Sequence, residues 1–214
     1  MNTHVMVDIE TLGTACDAPI LSIGAVAFDI ESGYISSKFY RAIDPSSALK
    51  RSRPDGGTLC WWMRQSDVAR EAAFSGNSPI AEALAAFKLW YAGKFPAPPI
   101  WANGPSFDIS ILETAFRAEG MAAPWKYNAA RCVRTIKAIA GDIPMPPRGG
   151  VEHNALDDAV YQAACVCACW RALKTPSNTG ALPPSDREAP VSSAVESATA
   201  PAAFSSDEDD HVEA

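Results

Sequence analysis

Residues 5–13 have the sequence VMVDIETLG, in which an apolar run ends in two carboxylates, Asp8 and Glu10, one residue apart. The run is typical of a β-strand, and strand side chains alternate between faces, so Asp8 and Glu10 project to the same face. Two carboxylates at this spacing repel each other, and each loses hydration if the site is partly buried. The stretch therefore predicts either a bound hard divalent cation, such as Mg²⁺ or Mn²⁺, or a strand end that turns into solvent.

The first third of the chain has the pattern of three strands joined by short connections. The strand at residues 5–10 is followed by apolar residues 20–28, a turn with the sequence DIESGY, and a third strand at residues 35–43. Short connections of this kind favour antiparallel pairing in a meander.

The remainder of the folded part alternates between short strands and helices, after a loop at residues 52–57. Helices are predicted at residues 78–93, 109–119, 135–140 and 154–173, and strands at 99–102 and 127–133. A meander followed by strands that alternate with helices predicts an α/β fold, in which a mixed β-sheet is flanked by helices.

The net charge of −7 comes from the end of the chain. Eight of the 25 acidic residues but one of the 18 basic residues lie from Thr175 onward, so residues 1–174 are net neutral. This end is rich in Pro, Ser and Ala and cannot bury enough apolar surface to fold alone. We expect a folded domain at residues 1–174 and a disordered acidic tail at residues 175–214. The tail is interpreted as a solubilising segment or, alternatively, as a peptide that binds a protein partner or mimics nucleic acid.

The composition excludes several classes of protein. The chain has no run of 18 apolar residues and no signal-peptide pattern at its start, so neither a membrane span nor export is predicted. Its six cysteines show no disulfide framework, and we expect cytoplasmic thiols. Three of them alternate along the last predicted helix, where thiols two positions apart diverge by about 200° and serve as packing residues rather than metal ligands: Cys165, Cys167 and Cys169.

Asp108 stands at the start of a predicted helix, in the stretch WANGPSFDISIL. A helix N-terminus favours an anion, so Asp108 can be a helix-terminal acid. The helix also follows a short strand, which can deliver the carboxylate beside the ends of the central strands, where open sheets place their sites. Both interpretations stay open at this point.

His153 precedes the last predicted helix, in the stretch GGVEHNALDDAVYQAA, and Asp157 and Asp158 lie in the first turn of that helix. An imidazole near several carboxylates has a chemical rationale. Three or four carboxylates can hold two divalent ions about 4 Å apart that clamp the attacking and leaving oxygens of a phosphoryl displacement. A histidine can then deprotonate the attacking water, so the pattern predicts two-metal phosphodiester hydrolysis.

Aromatic and basic residues between these motifs are candidates for nucleic-acid contacts. Trp61 and Trp62 are adjacent, and on a strand or loop they would face opposite ways, one exposed and one in the core. An exposed Trp beside a phosphate site stacks on a base, whereas the alternative is that both are core residues. Trp62 is the candidate contact, although the sequence leaves the choice open. Four arginines are candidates for phosphate contacts, with surface solvation as the alternative: Arg64, Arg70, Arg131 and Arg134.

Three motifs in order, DIET, NGPSFDISIL and HNALDDA, resemble the three exonuclease motifs of DEDDh 3'→5' exonucleases. This superfamily, which includes the bacterial polymerase III proofreading subunit and oligoribonuclease, has an RNase H-like fold. The surrounding stretches TLCWWMRQSDVAR and CVRTI are similar to a phage and bacterial branch that acts on DNA or RNA. The resemblance covers about residues 1–173 and implies an RNase H-like sheet and exonuclease activity.

The resemblance also implies roles for particular residues. Its metal ligands and general base fall on five positions: Asp8, Glu10, Asp108, Asp158 and His153. The third motif reads His-x-Ala-x-x-Asp, which selects Asp158 and leaves Asp157 outside the motif, a choice that helical periodicity does not make. The implied substrate contacts are Thr11 and Leu12, beside the terminal nucleotide, and Asn103, which is kept where many relatives have a His-Asn pair.

Together, the motifs predict an exonuclease that uses two Mg²⁺ or Mn²⁺ ions to release nucleoside 5'-monophosphates from single-stranded DNA or RNA 3' ends. The alternatives are a non-catalytic nucleic-acid-binding module with an acidic tail and an endonuclease on the same fold. The choice between DNA and RNA stays open, and a homodimer is kept as a candidate assembly.

Overall fold

The structure, a computed structural model, describes residues 2–50, 52–94 and 97–175. Within these ranges the strands are β1 (Thr3–Thr11), β2 (Ile20–Asp29), β3 (Ile35–Ala42), β4 (Ile100–Ala102) and β5 (Ala130–Cys132). The helices in the same ranges are α1 (Pro45–Ala48), α2 (Gly56–Trp62), α3 (Asp67–Phe74), α4 (Ile80–Ala92), α5 (Asp108–Ala118), α6 (Val133–Ala140) and α7 (Ala155–Lys174).

The strands form one mixed sheet in the order β3-β2-β1-β4-β5. The pairs β1–β2 and β2–β3 are antiparallel, as the short connections predict, and the pairs β1–β4 and β4–β5 are parallel. The predicted mixed sheet of meander and parallel strands flanked by helices is therefore confirmed. Strand β1 lies at its centre, so the carboxylates at its end lie between neighbouring strands rather than at an edge.

The alternation of side chains along β1 sorts its residues between two hydrophobic cores. Val5, Val7 and Ile9 pack in the core that includes residues of α4 and α5. Met6 packs on the opposite face, in the core that includes residues of α6 and α7. Because strand side chains have a period of two, Asp8 and Glu10 share the face of Met6 and lie on the side of α7.

The start of α7 lies unusually close to the sheet at Gly24. This residue pairs with Asp8 across the β1–β2 ladder. A Cβ atom at this position would lie 2.1 Å from the carbonyl carbon of Ala155, the first residue of α7. Only glycine therefore allows the helix backbone to pack against β2 at this point, which brings the first turn of α7 over the end of β1.

Two helices lie where the sequence reasoning predicted a loop or left the structure open. Residues 52–57 were predicted as a loop, but α2 begins at Gly56, and Trp61 and Trp62 lie at its end rather than on a strand or loop. The pair Gly56–Gly57 disfavours a helix. The first turn of α2 is stabilised by Asp55, whose carboxylate accepts a hydrogen bond from the Thr58 N–H at 2.8 Å. The other helix, α3, has a similar cap at Ser66.

The cysteines of the chain carry no disulfide among the described residues. All six cysteines lie in the described part of the chain and are free thiols, and the three on α7 are buried as expected for packing residues. No helix among the described residues is long and apolar enough to cross a membrane. The disordered tail was predicted at residues 175–214, of which 176–214 lie outside the described residues.

Candidate active site

Glu10 and Asp8 lie near the end of β1, on the face covered by α7. Glu10 is 8% exposed, and burial, followed by the negative charges of Asp158 and Asp108, raises its pKa to about 8. Burial and the charges of Asp108 and Glu10 also raise the pKa of Asp8 well above its usual range. These carboxylates do not turn into solvent, so of the two alternatives for this stretch the solvated strand end is wrong.

Asp108 reaches the same site from the other side of the sheet. Strand β4 runs parallel to β1, and residues 103–107 lead from its end to Asp108, the first residue of α5. The carboxyl group is 4% exposed, and burial raises its pKa to about 7, against hydrogen bonds from the backbone N–H groups of Asp108 and Ile9. Asp108 is thus both a helix-terminal acid and a member of the carboxylate cluster that contains Asp8 and Glu10.

The first turn of α7 and the residues before it complete the cluster. The side chain of Asn154 caps the helix by accepting hydrogen bonds from the N–H groups of Leu156 and Asp157. One potential ligand atom from each of Glu10, His153 and Asp158 lies within 4.8 Å of the other two. The structure therefore brings together β1, the approach to α7 and α7 itself at a spacing suited to a cation.

His153 has a backbone conformation that residues other than glycine rarely adopt. Its φ angle is 63°, and it is the one non-glycine residue with positive φ among those that the structure describes. Such a conformation is unfavourable for most residues and persists where surrounding contacts impose it, often at functional sites. The side chain contacts α2, where the ring of Trp61 lies edge-on to the imidazole with centroids 4.7 Å apart.

Asp157 and Asp158 are adjacent but have different surroundings. The carboxylate of Asp157 accepts a hydrogen bond from the Val151 N–H at 2.8 Å, and a Cβ atom at Gly150 would lie 2.4 Å from its Cγ. Asp157 therefore anchors the segment that carries His153. The side chain of Asp158 is 14% exposed, forms an ion pair with Arg148 and contributes to the cluster with Glu10.

A cavity of about 440 Å³ lies beside this cluster. It is lined by Glu10 and Thr11 from β1, by Thr58 and Trp61 from α2, and by Phe107 from the segment before α5. Its volume lies in the range of small-ligand sites, and aromatic rings and polar groups both line it.

The four predicted substrate contacts differ in where they lie relative to the cavity. Trp62 is 2% exposed and lines the cavity, and its Nε1–H donates to the carbonyl of Thr11 at 2.9 Å. Trp61, on the preceding position of the helix, also lines the cavity and, at 39% exposed, is the more accessible of the two rings. Leu12 is 3% exposed, packs with Leu21 and Trp62, and does not line the cavity.

Thr11 does line the cavity, with its hydroxyl donating to the carbonyl of Gly13 at 2.7 Å. Asn103 is exposed and does not line it. Of the four arginines considered above, Arg134 packs against Gly104, and its charge opposes the rise in the pKa of Asp108. Arg134 is thus the member of that set beside the acidic cluster.

Two polar residues that the sequence reasoning missed also contact the cluster. Arg148 pairs with Asp158, and Gln162 donates a hydrogen bond to Asp8 at 2.7 Å. Gln162 follows Asp158 by one helical turn, which is a signal that the sequence offers once Asp158 is chosen. Arg148 lies in the irregular segment between α6 and α7 and has no comparable signal.

The mixed sheet, with four carboxylates and a histidine beside a ligand-sized cavity, agrees with the predicted resemblance to DEDDh 3'→5' exonucleases. Residues 3–170 match the family model described as the 3'-5' exoribonuclease Rv2179c-like domain, and the chain belongs to this family. This match agrees with the predicted resemblance, whereas the narrower phage branch stays a prediction. None of the curated proteins compared with the chain matches it.

Solved structures of exonuclease I have a similar fold. The apo enzyme has a TM-score of 0.59 and 16% identity over 82% of this chain and 43% of its own. The zinc-bound form of the E. coli ExoI–ssDNA complex has a TM-score of 0.59 and 16% identity over 83% of this chain and 41% of its own. The E. coli enzyme in complex with a dT13 oligonucleotide has a TM-score of 0.57 and 16% identity over 82% and 41%. The chain thus spans less than half the length of these structures, and the likeness concerns the fold.

Proposed function

We propose that this domain hydrolyses single-stranded RNA from its 3' end, releasing nucleoside 5'-monophosphates with the help of two divalent cations, Mg²⁺ or Mn²⁺. The observation that carries the proposal is the convergence of Glu10, His153 and Asp158 within 4.8 Å beside a cavity of about 440 Å³. The family description names an exoribonuclease, which favours RNA over DNA.

The residues of the cluster fit divalent cations. Burial raises the pKa of all four carboxyl groups, and the neighbouring carboxylates raise the pKa of Asp8 and Glu10 further, so the charged forms need a compensating positive charge. Oxygen ligands suit hard cations such as Mg²⁺ and Mn²⁺, and the residues that would hold them are Asp8, Glu10, Asp108 and Asp158. When bound, the two ions stabilise the negative charge on the attacking and leaving oxygens.

His153 is placed to act as the general base. Its imidazole is partly exposed, so water can reach it, and it lies beside Glu10 and Asp158. The edge of Trp61 limits the positions that the ring can take. In this role the imidazole accepts the proton of the attacking water as the water oxygen adds to the phosphorus and the 3' oxygen of the preceding nucleotide leaves.

The cavity would hold the terminal nucleotide. The exposed ring of Trp61 offers a stacking surface for its base, and Phe107 lines the same space. Thr58 and Thr11 supply hydroxyls, and Glu10 is the proposed metal ligand that lines the cavity. A site that holds one terminal nucleotide beside the cleavage point favours release of mononucleotides over internal cleavage.

The neighbours in structure support a single-stranded substrate. Exonuclease I was solved with dT13 and dA16 oligonucleotides, and one structure is an ExoI/SSB-Ct complex. For this chain, single-stranded 3' ends are the proposed substrate. A protein partner for the acidic tail and a homodimer are further proposals that rest on the sequence alone.

The direct test uses RNA and DNA of one sequence, each labelled at the 5' end, incubated with the full chain in Mg²⁺, Mn²⁺ or EDTA. We expect a ladder that shortens from the 3' end by single nucleotides, faster on RNA, and no products in EDTA. An Asp8→Asn variant controls for contaminating nucleases. Oligonucleotides that are bound but stay intact in every metal would support the binding module instead, and internal fragments would support an endonuclease.

A further inference from the structure

Gln162 is a buried amide that contacts one of the proposed metal ligands. It lies on α7, one turn after Asp158, so both side chains project from the same side of the helix toward β1. Its Nε2 donates a hydrogen bond to Oδ1 of Asp8 at 2.7 Å, and the residue is 8% exposed. The hydrogen bond joins residues 154 positions apart, so it forms once the helix has packed on the sheet.

The other end of the same amide lacks a partner. Oε1 of Gln162 is buried and accepts no hydrogen bond from the described residues. A buried acceptor without a partner costs free energy, and native structures usually satisfy such groups with protein, water or an ion. The unpaired oxygen therefore points to a donor that belongs to the site rather than to the polypeptide.

A structural role alone does not account for this arrangement. An apolar side chain of similar size would fill the space between α7 and β1 without leaving a buried acceptor unpaired. The neighbouring inward positions on the helix, Ala159, Ala163 and Val166, are small or apolar and pack in the core. A glutamine at this position costs stability unless its amide contributes to the site.

We propose that Gln162 is a positioning residue for the metal site. Its N–H holds one oxygen of Asp8 and so orients the carboxylate, leaving the second oxygen for a cation. Its unpaired Oε1 would accept a hydrogen bond from a donor that enters the site together with the cation. This inference rests on the proposed function, since it requires a divalent ion at Asp8. Partners of this kind, which fix the orientation of a ligand, typically contribute a factor of about 10–100 to metal affinity.

The experiment measures Mn²⁺ binding to the full chain by isothermal titration calorimetry in the absence of nucleic acid, so that its readout does not depend on catalysis. We expect Gln162→Leu to weaken Mn²⁺ binding about 10–100-fold while the melting temperature of the metal-free protein stays the same or rises. If Gln162→Leu does not fold, Gln162→Asn takes its place in the experiment. This variant keeps the amide but shortens its reach, and it should also weaken Mn²⁺ binding. Arg171→Leu, at an exposed position near the end of the same helix, is the matched control and should bind Mn²⁺ like the wild type.

A second readout separates positioning from packing. If Gln162 orients Asp8, raising the Mn²⁺ concentration should restore most of the kcat of Gln162→Leu, with the KM for RNA unchanged. A lowered melting temperature with unchanged Mn²⁺ affinity would show a packing role and overturn the inference, while the proposed function would stand. A wild-type chain that binds no Mn²⁺ and hydrolyses no RNA would overturn both.

Discussion

The imidazole of His153 and the indole of Trp61 meet edge to face, with ring centroids 4.7 Å apart and planes at 81°. The contact joins the end of α2 to the segment that precedes α7. It therefore couples the residue proposed to accept a proton to the residue proposed to stack on the terminal base. The ring of Trp62, the last residue of α2, is also edge-on to the imidazole, at a longer centroid distance of 6.4 Å.

We expect Trp61→Ala to raise the KM for a short RNA by about 5- to 150-fold, since stacking on a base contributes about 1–3 kcal/mol. The kcat should fall as well, because the imidazole loses its neighbour. Trp61→Phe should retain most activity. Steady-state kinetics on a labelled oligonucleotide measure both constants, with Met63→Ala, at a 75% exposed position, as the control. An unchanged KM in Trp61→Ala would show that this ring does not contact substrate.

Replacement of His153 tests the general base, and the backbone decides which replacement to use. Because its φ is 63°, alanine would add strain, whereas asparagine tolerates this region. We expect His153→Asn to lower kcat about 10²- to 10⁴-fold with little change in melting temperature or in RNA affinity. The neighbouring exposed Glu152→Ala variant should keep full activity. Wild-type turnover in His153→Asn would remove this residue from the mechanism.

The adjacent pair Asp157 and Asp158 provides a matched comparison. We expect Asp158→Asn to lose about 10³-fold or more in activity, because a metal ligand contributes several kcal/mol to the stability of the transition state. Asp157→Asn should instead lower the melting temperature, since it weakens the acceptor of the Val151 N–H, while Mn²⁺ affinity is retained. Calorimetry and thermal unfolding on the two variants measure these effects. Equal losses of Mn²⁺ affinity would contradict the division of roles.

The raised pKa of Glu10 predicts how stability depends on pH without metal. Its pKa rises from 4.5 to about 8 on folding, so the folded chain binds more protons than the unfolded chain across that interval. The contribution of Glu10 to the free energy of unfolding is therefore fully present below pH 4.5 and is lost as the pH rises through about 8. We expect the free energy of unfolding in EDTA to fall over this interval, and to fall less in Glu10→Gln. Urea denaturation across the interval measures it, and identical slopes for both proteins would contradict the expectation.

Gly24→Ala tests the close packing of α7 on the sheet. The added Cβ would lie 2.1 Å from backbone atoms of Ala155, and no side-chain rotation relieves such a contact. Overpacking typically costs about 1–3 kcal/mol, and we expect this variant to reach or exceed the upper end of that range. If it folds, its Mn²⁺ affinity should also fall because the first turn of α7 moves. Gly56→Ala, on the exposed start of α2, is the control, because an added Cβ would have no atom within 4 Å there. A wild-type melting temperature for Gly24→Ala would show that the helix can shift at little cost.

Much of the fold and the centre of the site follow from local rules of sequence. The period of two along β1 places Asp8 and Glu10 on one face, and the short connections predict the antiparallel strands. Helix α2 was missed because the pair Gly56–Gly57 opposes helix formation, and a side-chain cap from Asp55 overrides that tendency. The same omission placed the two tryptophans on a strand or loop, whereas both lie at the end of α2.

Other features depend on contacts that sequence spacing does not encode. Gln162 lies one turn after Asp158, but helix α7 is apolar on most faces, and this spacing alone does not show which group the amide contacts. Its role is visible once the helix lies on β1 and the amide meets Asp8. Similarly, Asp157 and Asp158 differ by 100° on the helix, and their different partners, Val151 and Arg148, come from the irregular segment before α7.

Gly24 has a consequence for protein engineering. It carries no functional group and touches neither the proposed substrate nor a cation, yet the separation between the carboxylates of β1 and those of α7 depends on it. A designer who transfers the four acids and the histidine to another sheet of this type would therefore also need a glycine at the position that pairs with Asp8. A catalogue of active-site residues compiled by chemical function would leave out this position, and the graft would hold every reactive group at the wrong distance.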